Sequence, residues 1–153
     1  MKYFSSLLAF VIIFASLSVA HADIAFPPRP PSKAESQFVT ISTDDQNNLY
    51  LQFNFPAACN YKYRLLDKRT EKEMLSGEGS YKTSDSIKDV VDLSERLSRG
   101  KNYFLLNIQL SDIREETPFG VKARNSECAI KKIIVIRTVF DKIYDFEIYD
   151  DTN

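Results

Sequence analysis

The chain has 153 residues, with 20 Lys and Arg against 21 Asp and Glu, a formal net charge of −1, one histidine and two cysteines. So even a balance gives no general attraction to nucleic acid or to an anionic membrane surface. The single histidine, His21, falls in an N-terminal segment that reads as a cleaved signal; what remains lacks the commonest general base and metal ligand, which disfavours an enzyme and predicts neither cofactor nor metal site.

Residues 1–22, MKYFSSLLAFVIIFASLSVAHA, carry Lys2, an apolar run from Leu7 to Leu17 and a small-x-small end at Ala20-His21-Ala22. This pattern predicts a secretory signal peptide cleaved between Ala22 and Asp23. The run is short for a membrane span, no later segment approaches the needed length, and no cysteine stands at the cleavage point for a lipid anchor. Removing 22 residues from 153 leaves 131, enough for one domain. The expectation is an exported protein, periplasmic or secreted, without a membrane span. Residues 23–36 hold four of the six prolines and read as an extended, semi-rigid leader, including the P-x-x-P spacings Pro27 to Pro30 and Pro28 to Pro31. Residues 37–153 form the expected domain.

Strand signals then recur along the chain. Gln37–Thr43 is β-branched and aromatic, and Asp44-Asp45-Gln46-Asn47-Asn48 follows as a polar turn. Leu49, Leu51, Phe53 and Phe55 alternate with Tyr50, Gln52 and Asn54, giving the clearest half-buried strand, which Pro56 ends. Residues 61–67 and the stretch MLSGEGSY, joined by the charged turn KRTEK, form a predicted antiparallel pair near a sheet edge. Residues 84–99 fit two patterns. Ile87, Val90, Val91, Ser94 and Leu97 suit a short helix near 86–99, capped by Ser86 and closed by Gly100, while Ile87, Val91 and Leu93 suit a strand, which is preferred. Phe104, Leu106, Ile108 and Leu110 share one face of a central strand, followed by a polar loop, SDIREETPFG. Residues 127–140 and 143–149 supply the last two strands. Residues 121–140 have a balance of +4 and 141–153 of −4, a sign pattern that stabilises a hairpin through cross-strand pairs.

About seven to eight short strands separated by turns predict an all-β antiparallel sandwich. Cys59 and Cys128, in an exported chain, predict one disulfide tying the first half of the domain to its last strands, worth about 4 kcal/mol in the chain-entropy account. The spacing is neither a redox nor a zinc motif.

The segment D-L-S-x-x-L-x-x-G-x-x-Y-F-L-x-x-I, from Asp92 to Ile108, preceded by YRLLDKRTEKEMLSGEG, resembles the strand E to strand F corner and middle hairpin of bacterial immunoglobulin-like and fibronectin-type modules. The resemblance covers roughly residues 49–110 and implies an immunoglobulin-like β-sandwich. It departs in one respect: Tyr103 falls on the face opposite Phe104, Leu106 and Ile108, away from the position of a buried corner tyrosine.

Few residues suggest chemistry. Ser98 and Lys101 have an S-x-x-K spacing, but without the accompanying elements of penicillin-binding enzymes a surface turn is the better reading. Adjacent carboxylates such as Asp44-Asp45 and Glu115-Glu116 point to opposite faces on a strand, and Asp44, Asp45, Asn47 and Asn48 lack the alternating spacing of a calcium loop. Tyr50, Tyr61, Tyr63 and Tyr81 suit either an aromatic contact surface or half-buried sheet positions. The function expected is non-catalytic binding of a protein partner in the cell envelope or secreted fraction, with inhibition of a hydrolase, as an inhibitor or immunity protein, the alternative. The candidate binding loop is Ser111–Gly120, with Asp112, Arg114, Glu115, Glu116 and Phe119 as contact residues.

Overall fold

A computed structural model describes residues 33–124 and 127–151. The expected signal peptide, and the leader as far as residue 32, lie outside the described residues. The described chain is all β. Its strands are β1 (Ala34–Ser36), β2 (Val39–Thr43), β3 (Asn48–Phe53), β4 (Ala58–Asp67), β5 (Glu73–Tyr81), β6 (Ile87–Asp92), β7 (Gly100–Thr117), β8 (Gly120–Arg124), β9 (Cys128–Val139) and β10 (Lys142–Asp150). They form two antiparallel sheets. One has the order β1-β2-β3-β6; the other runs β10-β9-β7-β4-β5, with β8 paired to the far part of β7. The chain crosses between sheets after β3, β5 and β6. Along one side β1 lies against β10.

The sheets bury their alternating apolar faces against each other. Leu49, Leu51 and Phe53 of β3 face Tyr63 and Leu65 of β4, Phe104, Leu106 and Ile108 of β7, and Ile134 and Ile136 of β9. Aromatic rings fill the middle: Phe53 lies 4.5 Å from Tyr63, and Phe55 stacks edge-on to Tyr81 at 5.1 Å. Tyr61, Tyr63 and Tyr81 therefore belong to or pack against the core. Only Tyr50 of that tyrosine set stands outside, its hydroxyl donating to Asp44.

The turns are made by the residues that suit them. The Asp44 carboxylate accepts the N–H groups of Gln46 and Asn48 and the Asn48 side-chain amide, while Asn47 takes a left-handed φ of 64°, closing the β2–β3 hairpin. Across β4 and β5, Gly77 and Gly79 leave room for two tyrosines. A Cβ on Gly77 would meet the Tyr63 ring and hydroxyl at 2.5–2.6 Å.

Residues 87–92 are a strand, not a helix. Ile87 pairs with Phe53 and Val91 with Leu49, and Val90, which a helix would turn inward, is 51 % exposed. No helix occurs among the described residues. Ala34–Ser36, at the end of the expected leader, form the first strand and pair with Val39–Ile41.

Two expectations are corrected. Cys59 and Cys128 are both free, and the sheet register explains why. Leu110 of β7 lies opposite both Tyr61 on β4 and Cys128 on β9, so a whole strand separates the sulfur-bearing strands. Two interstrand spacings of about 4.8 Å put the Cα atoms beyond the roughly 4.4–6.8 Å that a bridge spans. The second correction concerns Ser111–Gly120, expected as a loop. Strand β7 runs on through Ser111–Thr117, and only Pro118 and Phe119 make the turn into β8.

Candidate functional site

Strand β7 is 18 residues long because, within one sheet, it pairs first with β4 and β9 and then with β8. From Phe104 to Leu110 it is paired on both sides, by β4 and β9. At Asp112 the backbone takes φ 49° and the register to β4 shifts between Ala58 and Asn60. An irregularity of this kind bends a strand locally and raises its twist. Beyond Arg114, β7 pairs with β8 alone, as a hairpin.

The predicted contact residues separate along this hairpin. Asp112 is committed to the irregularity, its carboxylate accepting from the Asn60 amide at 2.8 Å. Arg114 is exposed and lies in a small hollow with Asn60, Ser80 and Lys82. Glu115 is half-buried on the strand, and Glu116 pairs through its backbone with Val121. Phe119, at the tip, is 100 % exposed, and Val121 beside it is also open to solvent. Phe119 and Val121 together place adjacent apolar area in solvent at the end of the two-stranded arm.

At the other end of β7 the corner between β6 and β7 is locked. Asn102, buried on the inward face, accepts from the Ser98 N–H at 2.8 Å and the Ser98 hydroxyl at 2.9 Å, and donates to the Ser98 carbonyl at 2.8 Å. Thr138 of β9 donates to the same carbonyl at 2.8 Å. An asparagine thus fastens the loop back onto the strand, and Tyr103 is left on the outer face, half exposed. Next to this corner is a cleft of about 420 Å³, bounded by the β4–β5 turn, the corner and the start of β7, with Lys68, Arg69, Arg96 and Lys101 on its walls.

The outer face of the larger sheet carries Leu66, Leu105, Ile133 and Tyr149 as one cross-strand row. Flanking it, Arg137 bonds Asp145 and Glu147; the Glu147 and Asp145 carboxylates favour the charged guanidinium, and the hydrogen bond from Arg137 holds the Glu147 carboxyl below its ordinary range. Inside, Lys132 is 0 % exposed and reaches Asp150 at the edge of β10. Tyr63 donates to Asp89 across the two sheets, and burial raises the Asp89 carboxyl. Among the described residues, no group of three or more Cys, Asp or Glu side chains is placed to hold a metal ion.

Pro118 and Gly120 were legible as the close of a polar loop, and Phe119 as a contact residue within it, though the strand pairing there was not. The cleft was not: its cations come from three separate segments, and each alone reads as an ordinary polar turn. Comparison with protein-family models, with curated proteins and with solved structures finds no match to this chain.

Proposed function

We propose that this chain is an exported, non-catalytic binding domain that engages a protein partner through the tip of the β7–β8 hairpin. The observation that carries the reading is Phe119, fully exposed at the end of an arm that continues past every strand of the sandwich except its own partner. Aromatic side chains at such positions are the usual anchors of protein interfaces. Val121 adds apolar area beside the ring, and Arg114 and Glu115 supply the polar flank that confers orientation. The fold is read as immunoglobulin-like. Support comes from the order β2-β3-β6 packed on β5-β4-β7-β9, with sequential strands crossing between sheets, and from the corner before β7 that the sequence resemblance singles out. Export rests on the signal-like first 22 residues.

The same arm fits insertion into an enzyme cleft, so the inhibitor reading stands beside the adaptor reading. Purified mature chain, starting at Asp23, and its Phe119→Ser variant are immobilised and exposed to envelope extract and spent medium from the producing cells. The expected result is a protein retained by the wild type and lost with Phe119→Ser, at unchanged melting temperature; if that protein is a hydrolase, inhibition of its activity selects the second reading. Identical retention by both forms would overturn the assignment of the hairpin.

A further inference from the structure

We propose that the cleft at the β6–β7 corner is an anion-binding site for a phosphate-bearing ligand, separate from the hairpin. The two lie at opposite ends of β7, on the order of 45 Å apart at the usual rise per strand residue. This inference does not rest on the hairpin reading.

The walls of the cleft carry Lys68 and Arg69 from the β4–β5 turn, Arg96 from the corner and Lys101 from β7, against one acid, Asp67. The chain as a whole has a net charge of −1, so this concentration of positive charge is local. Asp67, whose buried carboxylate accepts the Arg69 backbone N–H at 2.9 Å, offsets one of these charges and leaves the lining positive on balance. Among the described residues, none of the four cations has a carboxylate within ion-pair distance. Lys101 lies close enough to Glu147 to help hold that carboxyl down, and the Glu147 side chain is bonded to Arg137. Four like charges gathered around one hollow repel one another, and an entering dianion relieves that repulsion.

The second element is rigidity. The Lys68 N–H donates to the Tyr103 carbonyl at 3.0 Å, tying the β4–β5 turn to β7. Asn102 ties the Ser98 segment to the same strand through three hydrogen bonds. The three segments that carry the cations are therefore held in fixed relation before any ligand arrives, which lowers the ordering cost of binding.

The third is the chemistry of the walls. Two arginines offer planar donor forks that match tetrahedral oxyanions, two lysines add point charge, and half-exposed Tyr103 supplies an aromatic wall. A volume of about 420 Å³ lies in the range of small-ligand sites. Such a cleft takes a phosphate monoester with a flat or cyclic substituent against Tyr103, whether as a free small molecule or as the headgroup of a lipid.

The test uses the mature chain with two probes. Phenyl phosphate is titrated by calorimetry at low and physiological salt, and vesicles of phosphatidylcholine doped with phosphatidic acid are used in flotation. The proposal predicts saturable binding of at least one probe that weakens as salt rises. It also predicts a loss of tenfold or more in Arg69→Ala/Arg96→Ala at unchanged melting temperature, and no loss in Arg64→Ala, whose arginine sits on the same sheet outside the cleft. Phenyl phosphate alone binding identifies a free ligand; vesicles alone identify a headgroup. Binding of neither probe, binding that survives the double substitution, or an equal loss in Arg64→Ala would overturn it. Phe119→Ser should bind as the wild type does, so failure here and failure of the hairpin reading are distinguishable.

Discussion

Replacing Asn102 with alanine tests the corner on which the second sheet depends. The side chain is buried and makes three hydrogen bonds to Ser98, two of them to its backbone. A net hydrogen bond contributes about 0.5–1.5 kcal/mol, and a buried donor left unsatisfied costs more. The Ser98 carbonyl keeps Thr138 as a donor, so the loss falls mainly on the Ser98 N–H. The sum is about 2 kcal/mol, a drop of roughly 8 °C in melting temperature for a domain of this size. Thr138→Val, which removes the other donor to that carbonyl, should cost about 1 kcal/mol. The double variant should cost more than the two together, because the carbonyl then has neither partner. Thermal unfolding followed by circular dichroism on the four proteins reads all three quantities. A shift under 2 °C for Asn102→Ala, or strict additivity, would refute the claim that Asn102 and Thr138 jointly hold the corner.

Three further predictions follow from particular contacts. Gly77→Ala drives a Cβ to 2.5–2.6 Å from Tyr63, whose hydroxyl is fixed on Asp89, whereas Gly79→Ala meets Tyr61 at 3.0–3.3 Å. The first should cost about 1–3 kcal/mol and the second less, in denaturant melts, and the reverse order would sink the reasoning. Asp150→Ala leaves the Lys132 ammonium buried without its carboxylate and should destabilise more than Lys132→Met, which removes the charge and keeps the volume; equal losses would mean the pair is not coupled. The Asp44 carboxyl is held down to about 2, from an ordinary value of 3.8, chiefly by its hydrogen bond from the Asn48 side chain. A depressed folded pKa means that its stabilisation is complete above about pH 4 and fades as pH falls toward 2. Asp44→Asn should therefore be less stable than wild type at neutral pH, with a melting-temperature gap that closes between pH 4 and 2; a constant gap would contradict this.

Much of the fold was legible because alternation on half-buried strands is a local signal. Leu49, Leu51 and Phe53, or Phe104, Leu106 and Ile108, announce both the strand and its inward face. The extension of β7 through Ser111–Thr117 was hidden for the converse reason: in SDIREET, Ile113 is the one apolar residue, so no alternation marks a buried face. At 87–92 helix and strand periods overlap, and the choice is made by non-local pairing with β3. The disulfide was inferred from compartment, but the order in which β7 comes between β4 and β9 is a property of topology. Of two adjacent lysines, 131 and 132, nothing local says which points inward; the register with Leu106 and Asp150 does. The cleft at the corner is hidden in the same way, since Arg69 and Arg96 meet only after the sheets have formed.

The most direct test of the central claim is site-specific photo-crosslinking in the producing cells, with p-benzoylphenylalanine at position 119 and, as a control, at position 50. Tyr50 is also an exposed aromatic, but it lies on the other sheet. The account predicts a discrete adduct with one partner protein from position 119 and none from position 50. No adduct from position 119, or the same adducts from both positions, would contradict it.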